Sequence, residues 1–447
     1  MLFTRKDIFK ILIPLLIEQF LTVSIGMIDS MMVSSAGEAA ISGVSLVDSL
    51  NLLLVYIFSA LSSGGAVVIS QFIGKRDSAQ TELSSKLLVW VVFVVSLVIT
   101  IVAVCFRGGI LGMVFGSVES HVMSNALVYF LYTALSYPFL ALYGAVSAIF
   151  RSMGNTRISL VVSLIKNLIN VAGNAILIFE FNMGAAGAAI ATLFSRVIGA
   201  AIMMVCLHGK RNMIHIDNVF KVKLDFSIVK RICAIGIPNG LENGMFQFGK
   251  VLTQSLVATF ATVYIAANSA ANSITSIQYV IGAAVSLTMV TVVGRCIGAG
   301  DRDGAKNYAK MLMKIEYCLI FVLTGSMMIF VKPIVSLYNL SGESSQIAIT
   351  MILIHSVGNC TVWPVAFTLP ASFRASSDVR YPMIISIFSM WTFRVGLSYV
   401  LCKGFGVGIM GIWYAMMADW VFRAVVYVVR FKRGTWMTKY KEISSNE

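Results

Sequence analysis

Charged residues are scarce in this chain. Asp, Glu, Lys and Arg make up 12% of its 447 residues, whereas soluble globular domains carry about 25%. Hydrophobic residues make up 58% and the mean hydropathy is +0.87. Apolar runs of about 18 residues or more recur along the chain, and no long polar segment separates them. The composition excludes a soluble protein and predicts an integral membrane protein.

The sequence also lacks the patterns that mark metal sites and enzymes. The seven cysteines lie far apart without a CxxC pair, and the four histidines show no HxxH or HxxxH spacing. No GxSxG, HExxH or Walker sequence is present, and the stretch GAGDRDG at 298–304 lacks the GK[ST] ending and is interpreted as a turn. We therefore expect no enzyme, no catalytic residue, no cofactor and no metal site beyond a monovalent cation.

The apolar runs define the predicted transmembrane spans. Each run ends at charged or Gly/Pro-rich residues. The result is twelve spans, at about 8–33, 44–73, 87–105, 121–150, 157–179, 184–207, 227–258, 264–298, 308–332, 344–373, 380–402 and 406–430.

Basic residues divide unevenly between the connections. With these spans, 26 of the 34 Lys and Arg residues lie on one set of alternate connections or at the span ends next to them, and only Arg107, Lys332 and Lys403 lie at the other set. Positive charge collects on the cytoplasmic side of membranes. This predicts a multi-pass protein of the cell membrane with both termini cytoplasmic. The net charge of +14 is attributed to this topology and to contact with anionic lipids, not to nucleic-acid binding.

The two halves of the chain repeat each other at a shift of 224 residues. Ile13, Pro14 and Glu18 return as Ile237, Pro238 and Glu242. An even number of spans per half makes the repeat parallel. The predicted fold is an all-α integral membrane protein with twelve transmembrane helices in two six-helix bundles. The predicted domains are an N-terminal lobe at 1–207, a cytoplasmic linker at 208–226 and a C-terminal lobe at 227–447.

Four motifs carry a resemblance to a known family, and they stand in order along the chain: GMIDSMMV at 26–33, QFIGKRD at 71–77, FRSMGNTR at 150–157 and NLINVAGNAILIF at 167–179. They resemble the multidrug and toxic compound extrusion (MATE) family of the MOP flippase superfamily, bacterial type. The resemblance implies a V-shaped, two-lobed antiporter. It also implies export of amphipathic, often cationic molecules in exchange for Na⁺ or H⁺.

The resemblance further implies a cation-coupling site in the N-terminal lobe. Matching by motif assigns it to Asp29, Asn170, Asn174 and Thr192. A carboxylate with amide and hydroxyl oxygens suits a small hard cation, and a carboxylate removed from water can bind a proton instead. Some family members carry an aspartate where this chain has Asn174, so one formal negative charge is expected at this site, and the coupling ion stays open.

Two glutamates are further candidates for substrate contact or a second cation site. Glu18 lies eleven residues before Asp29 on the first span, which places both on one helix face with a rise of about 16 Å between them. Its repeat mate Glu242 resembles a seventh-helix glutamate that some family members use. Those members pair it with an aspartate on the tenth helix, where this chain has Trp363 and Pro364. A complete second cation site is therefore not expected.

Five basic residues lie in the predicted spans away from the span ends: Lys166, Arg196, Lys250, Arg394 and Arg423. Internal pairing is the favoured interpretation, such as Asp419 with Arg423 one turn later.

Two functional classes remain open. The favoured one is a monomeric secondary transporter of small drug-like molecules, and the alternative is a flippase for lipid-linked oligosaccharide or peptidoglycan precursors. A flippase is expected to line its cavity with more basic residues, for a pyrophosphate.

Overall fold

A computed structural model describes residues 2–35, 37–116, 118–209, 212–214 and 224–438. All regular secondary structure in these ranges is helical. The all-α fold predicted from the sequence is confirmed. Part of the predicted linker, at 210–211 and 215–223, lies outside the described residues.

The helices divide between two compact units, Arg5–Gly240 (the first unit) and Leu241–Glu447 together with Met1–Thr4 (the second unit). The sequence-based boundary lies in the connection 208–226, whereas this division falls within a helix. The helices of the first unit are α1 Arg5–Ser34, α2 Glu38–Lys75, α3 Ser78–Cys105, α4 Arg107–Phe115, α5 Ser120–Leu135, α6 Tyr137–Ser152, α7 Thr156–Asn174 and α8 Gly184–Leu207, and α9 Phe226–Val257 begins there.

The helices of the second unit after α9 are α10 Thr262–Ser276, α11 Tyr279–Gly298, α12 Arg302–Ile329, α13 Val331–Ser336, α14 Gly342–Thr361, α15 Pro370–Ala375, α16 Arg380–Ser389 and α17 Met410–Arg433. Segments of π-helix follow α7 at Ala175–Glu180, α14 at Pro364–Thr368 and α16 at Met390–Leu397 and Val400–Gly404. A short 3₁₀ turn, Thr435–Met437, follows α17.

The number of membrane-length segments is roughly consistent with the predicted twelve. Among the described residues, nine helices are long and apolar enough to cross a membrane, and two bent helix pairs raise the number to eleven. The remaining segment is α9, which is 32 residues long.

The bends recur at equivalent places in the two halves. α5 and α6 meet at 43°, and the pair Gly342–Thr361 and Pro364–Ala375 meets at 62°. Proline stands within the first two positions of α6 and of the π-helical segment Pro364–Thr368, where it fits a helix start but cannot continue a preceding helix. The predicted spans 121–150 and 344–373 are therefore broken helices.

Helix caps show the repeat at atomic detail. Asp77 precedes α3 and its Oδ1 accepts from the backbone N–H of Gln80 at 3.0 Å. Asp301 precedes α12, and its Oδ1 accepts from the N–H of Gly304 at 2.8 Å. Aspartate at this position satisfies an N–H that the helix itself leaves unpaired. The stretch 298–304 is thus a turn and a helix start, as predicted.

In the first unit, α7 packs against both α1 and α8. These are the three helices that carry the residues of the predicted coupling site. Their packing positions that site.

Candidate cation site in the first helical unit

α1 and α7 run side by side in a constant register. Near their first turns, Thr156 Oγ1 donates to the carbonyl oxygen of Ile11 at 3.0 Å. Near their last turns, Asn174 Nδ2 donates to Asp29 Oδ1 at 2.9 Å. Both pairs are 145 residues apart in the sequence. The two helices are therefore parallel, and Asn174 lies level with Asp29.

Asn170 connects Asp29 to the third helix of the site. Its side-chain amide lies 2.9 and 3.0 Å from the two carboxylate oxygens of Asp29 and 3.3 Å from Thr192 Oγ1. With its nitrogen toward Asp29, the amide donates to the carboxylate and accepts from the threonine hydroxyl. The four residues assigned from the sequence motifs thus lie together.

The oxygen inventory of this cluster fits a small cation. Asn170 and Asn174 are buried, and Asn174 Oδ1 has no hydrogen-bond partner among the described residues. A buried acceptor without a partner is costly. Together with the carboxylate of Asp29 and the hydroxyl of Thr192, it offers the hard oxygen ligands that such ions prefer.

A cavity of about 270 Å³ opens beside the cluster, and it brings in a second carboxylate. Asp48 on α2 lines the cavity, and its Oδ1 accepts from Tyr129 Oη at 3.1 Å and from Asn51 Nδ2 at 3.3 Å. Tyr137 Oη in turn donates to Asn51 Oδ1 at 2.6 Å. The sequence interpretation missed Asp48. A carboxylate inside the apolar run 44–73 was the available signal.

Two basic side chains line the same cavity, Lys166 and Arg196. Arg196 Nη1 donates to Ser136 Oγ at 2.7 Å, at the bend between α5 and α6. Lys166 Nζ lies 4.9 Å from the ring centroid of Tyr143, an attractive cation–π distance. Among the described residues, neither forms an ion pair within 4.0 Å of Asp29 or Asp48. The expected internal pairing is therefore wrong for these two residues.

A comparison with sequence profiles of protein families identifies the family of this chain. The MatE sequence profile matches residues 14–176 and again 238–400. The chain belongs to the MatE family. The second match begins 224 residues after the first, at 238 against 14. This displacement equals the repeat shift read from the sequence.

Full-length relatives and solved structures agree with this assignment. An uncharacterized transporter YisQ of Bacillus subtilis is 26% identical, covering 97% of this chain and 95% of the relative. A probable multidrug resistance protein NorM of Thermotoga maritima is 25% identical, covering 97% and 93%.

Among solved structures, an outward-facing multidrug resistance MATE transporter superposes with a TM-score of 0.90 at 19% identity, covering 97% of this chain and 96% of that one. A MOP superfamily transporter from Pyrococcus furiosus has a TM-score of 0.87 at 20% identity, covering 98% and 96%. Its published description attributes to it a binding pocket of reversed polarity that suggests a different function. These likenesses show the MATE fold.

The two glutamates of the MatE repeat have different surroundings. Glu242 Oε2 lies 3.1 Å from Arg374 Nη1, and its Oε1 accepts from Ser386 Oγ at 2.8 Å. Glu18 is buried, does not line the cavity, and its Oε2 has no hydrogen-bond partner in the described structure. Glu242 thus already has a cationic partner within its own unit.

The second half of the MatE repeat does not reproduce the cluster around Asp29. The repeat shift places Thr253, Arg394 and Ser398 at the positions equivalent to Asp29, Asn170 and Asn174. No carboxylate stands there, and a guanidinium replaces one amide. The residues predicted to hold a cation therefore have no equivalent set in the second half of the repeat.

One internal pair predicted from the sequence is confirmed. Arg423 Nε lies 2.8 Å from Asp419 Oδ1, and both side chains are buried. Ser389 also donates to that carboxylate, and the Arg423 guanidinium lies over the ring of Phe367 at 5.1 Å. The contacts account for both charges within the helix packing.

Proposed function

We propose that this chain is a secondary active multidrug efflux transporter. It exports amphipathic, cationic small molecules in exchange for Na⁺ or H⁺ by alternating access. The observation that carries the proposal is the contact of Asp29 with Asn174 and Asn170 beside a cavity within membrane-length helices. Placing a carboxylate at such a depth in the membrane costs free energy, and carboxylates found there are usually functional.

The same contacts suggest how the ion acts. In the structure both amides donate to Asp29. A bound cation neutralises the carboxylate and favours amide oxygens over amide nitrogens, so Asn170 and Asn174 reorient. The two arrangements pack differently, and the ion therefore shifts the balance between conformations.

The proposal includes the setting of the protein. It is a monomer of the cell membrane with both termini in the cytoplasm. Anionic lipids contact the basic cytoplasmic connections. Its substrates are drug-like molecules, and Na⁺ or H⁺ is the only other ligand.

The experiment is dye efflux from proteoliposomes under one imposed gradient at a time. A Na⁺ gradient alone and a pH gradient alone are compared with liposomes that lack protein. We expect one of the two gradients to drive efflux. If neither gradient changed the rate of dye efflux, the proposal would be contradicted.

Asp29→Asn is the decisive variant in that assay. It keeps the size of the side chain but removes the charge that holds the ion, so gradient-driven efflux should fall to the level of protein-free liposomes. Glu343→Gln, at an exposed first-turn position of α14, is the matched control and should retain efflux. Normal coupled efflux by Asp29→Asn would remove this residue from the mechanism.

A second candidate function is the flippase for lipid-linked precursors. Lys166 and Arg196 favour it, because two basic groups in one cavity suit a pyrophosphate. A flippase would translocate a fluorescent lipid-linked pyrophosphate in the same liposomes. It would not move the dye.

A further inference from the structure

Lys166 lies at a depth between the two carboxylates of α1. The constant register of α1 and α7 places Ser163 level with Glu18 and Asn174 level with Asp29. Along α7, Lys166 comes three residues after the level of Glu18 and eight residues before the level of Asp29. These steps correspond to about 4.5 Å and about 12 Å along the helix.

Lys166 lies on the same face of α7 as the two asparagines of the candidate site. Lys166, Asn170 and Asn174 follow at intervals of four residues, so they form one row along the helix. Asn170 already contacts the carboxylate of Asp29, and it is only one turn, about 6 Å, above Lys166. The flexible four-carbon stem of a lysine spans such a step.

The stem of Lys166 packs against a glycine of α8, Gly199. A Cβ built on Gly199 of α8 would lie 3.1 Å from Cγ of Lys166 and 3.3 Å from its Cδ. Any larger side chain at position 199 would crowd this stem. Beside it, the Tyr143 ring holds the ammonium without an ionic bond.

Basic side chains attract both carboxylates from a distance: Arg151 and then Lys166 act on Glu18, and Lys166 and Arg196 act on Asp29. Neither Glu18 nor Asp29 has a basic group within 4.0 Å among the described residues. Glu18 is only 7% exposed and its Oε2 has no hydrogen-bond partner there. A mobile cation between two such groups is attracted by both, and strongly so at low dielectric.

We propose that Lys166 is a tethered cation that competes with the coupling ion for Asp29 and that Glu18 is its alternative partner. This inference rests on the function proposed above. When the ion leaves Asp29, the ammonium turns upward to the vacated carboxylate. When the ion binds, the ammonium is displaced and pairs with Glu18. Lys166 is thus a positioning residue that sets ion affinity and helps to expel the ion.

Replacing Lys166 and replacing Glu18 should change ion affinity in opposite directions. Without the tethered cation, the ion no longer has to displace it, so Lys166→Met should bind the ion more tightly. Without the alternative partner, the ammonium stays longer at Asp29, so Glu18→Gln should bind the ion more weakly. A competitor that holds the site for most of the time reduces apparent affinity in proportion, so we expect shifts of about three- to tenfold in each direction.

The test is ion titration of the purified full chain in detergent, with thermal stability as the readout. The ion is whichever one drives efflux in the gradient assay, at constant ionic strength, because bound ligand raises the melting temperature. The half-saturating ion concentration should fall for Lys166→Met, rise for Glu18→Gln, and in the double variant equal that of Lys166→Met. Lys166→Arg keeps the charge, so its half-saturating ion concentration should be closer to that of the unsubstituted chain than that of Lys166→Met is.

The controls separate this inference from the function on which it rests. Lys250→Met removes a lysine from α9 in the second unit and should leave the titration unchanged. If Asp29→Asn abolishes the ion response while Lys166→Met titrates like Lys250→Met, the coupling site stands and the tethered cation is wrong. A shift of the half-saturating ion concentration in the same direction for Lys166→Met and Glu18→Gln would also overturn the tethered cation. An unchanged response in Asp29→Asn would instead overturn the coupling site.

Discussion

At the scale of single residues, Asp419 and Asp29 show two ways to hold a carboxylate among apolar helices. Asp419 has a guanidinium one turn away and a serine hydroxyl. Its charge is compensated inside the helix bundle. Among the described residues, Asp29 has only neutral amide donors, and the basic groups of its cavity contact other side chains. The first arrangement stabilises the fold, whereas the second leaves a charge available for an ion.

The Asp419–Arg423 pair provides a stability test. Asp419→Leu or Arg423→Met alone leaves an uncompensated buried charge and should destabilise the chain by about 3–5 kcal/mol. The double variant removes both charges and should recover most of that loss. Melting temperatures of the three variants in detergent check this expectation. Equal melting temperatures for single and double variants would show that the pair does not act as a unit.

At the scale of helices, close approach depends on glycine where α2 meets the start of α9. A Cβ on Gly64 would lie 2.6 Å from the carbonyl oxygen of Ile232 and 2.9 Å from the backbone nitrogen of Gly236. Both distances are shorter than a packed carbon can adopt. Arg231 adds a hydrogen bond to Gln71 Oε1 at 2.7 Å in the same region. The two helices are thus held by close backbone contact, with a polar contact in the same region.

Gly64→Ala should therefore separate α2 from α9. The backbone atoms of Ile232 and Gly236 cannot rotate away, so overpacking should cost about 1–3 kcal/mol and lower the melting temperature. Gly325→Ala on α12 is the matched control, because a Cβ there meets nothing within 4 Å. An alanine inside a helix is favoured over glycine. If both variants melted at the same temperature, this close approach would not limit stability.

At the scale of the whole molecule, the duplicated MatE segment carries two different chemistries. Both halves keep the aspartate caps and the bent helix pairs, which are features of the fold. Only the first half keeps a carboxylate and two amides at the equivalent positions. Duplication of the fold is therefore compatible with a single cation site.

The proposed topology is tested by cysteine labelling. In a background without the seven native cysteines, single cysteines at Ser35 and Gly434 should react with a membrane-impermeant thiol reagent from opposite sides of the membrane. Ser35 follows α1 and Gly434 follows α17, and the basic connections place the second on the cytoplasmic side. Labelling of both from one side would contradict the assigned topology.

The sequence by itself indicated the spans and the repeat, and its resemblance to the MATE family assigned the four residues around Asp29. Hydropathy and charge are properties of each stretch of chain, and a membrane sorts them by length and sign. Positions four residues apart share a helix face wherever the helix lies. These features therefore need no knowledge of neighbouring helices, although the proline-linked bends shifted where the helices end.

Only the tertiary structure decided what stands beside that site. Asp48, Arg196 and Lys166 are far apart in the sequence, and none belongs to the motif that assigned Asp29. Their presence in one cavity depends on how α2, α7 and α8 pack and rotate against one another. The depth of Lys166 between Glu18 and Asp29 likewise required the register of α1 on α7. Such distances across helices follow from packing, which no single stretch of sequence specifies.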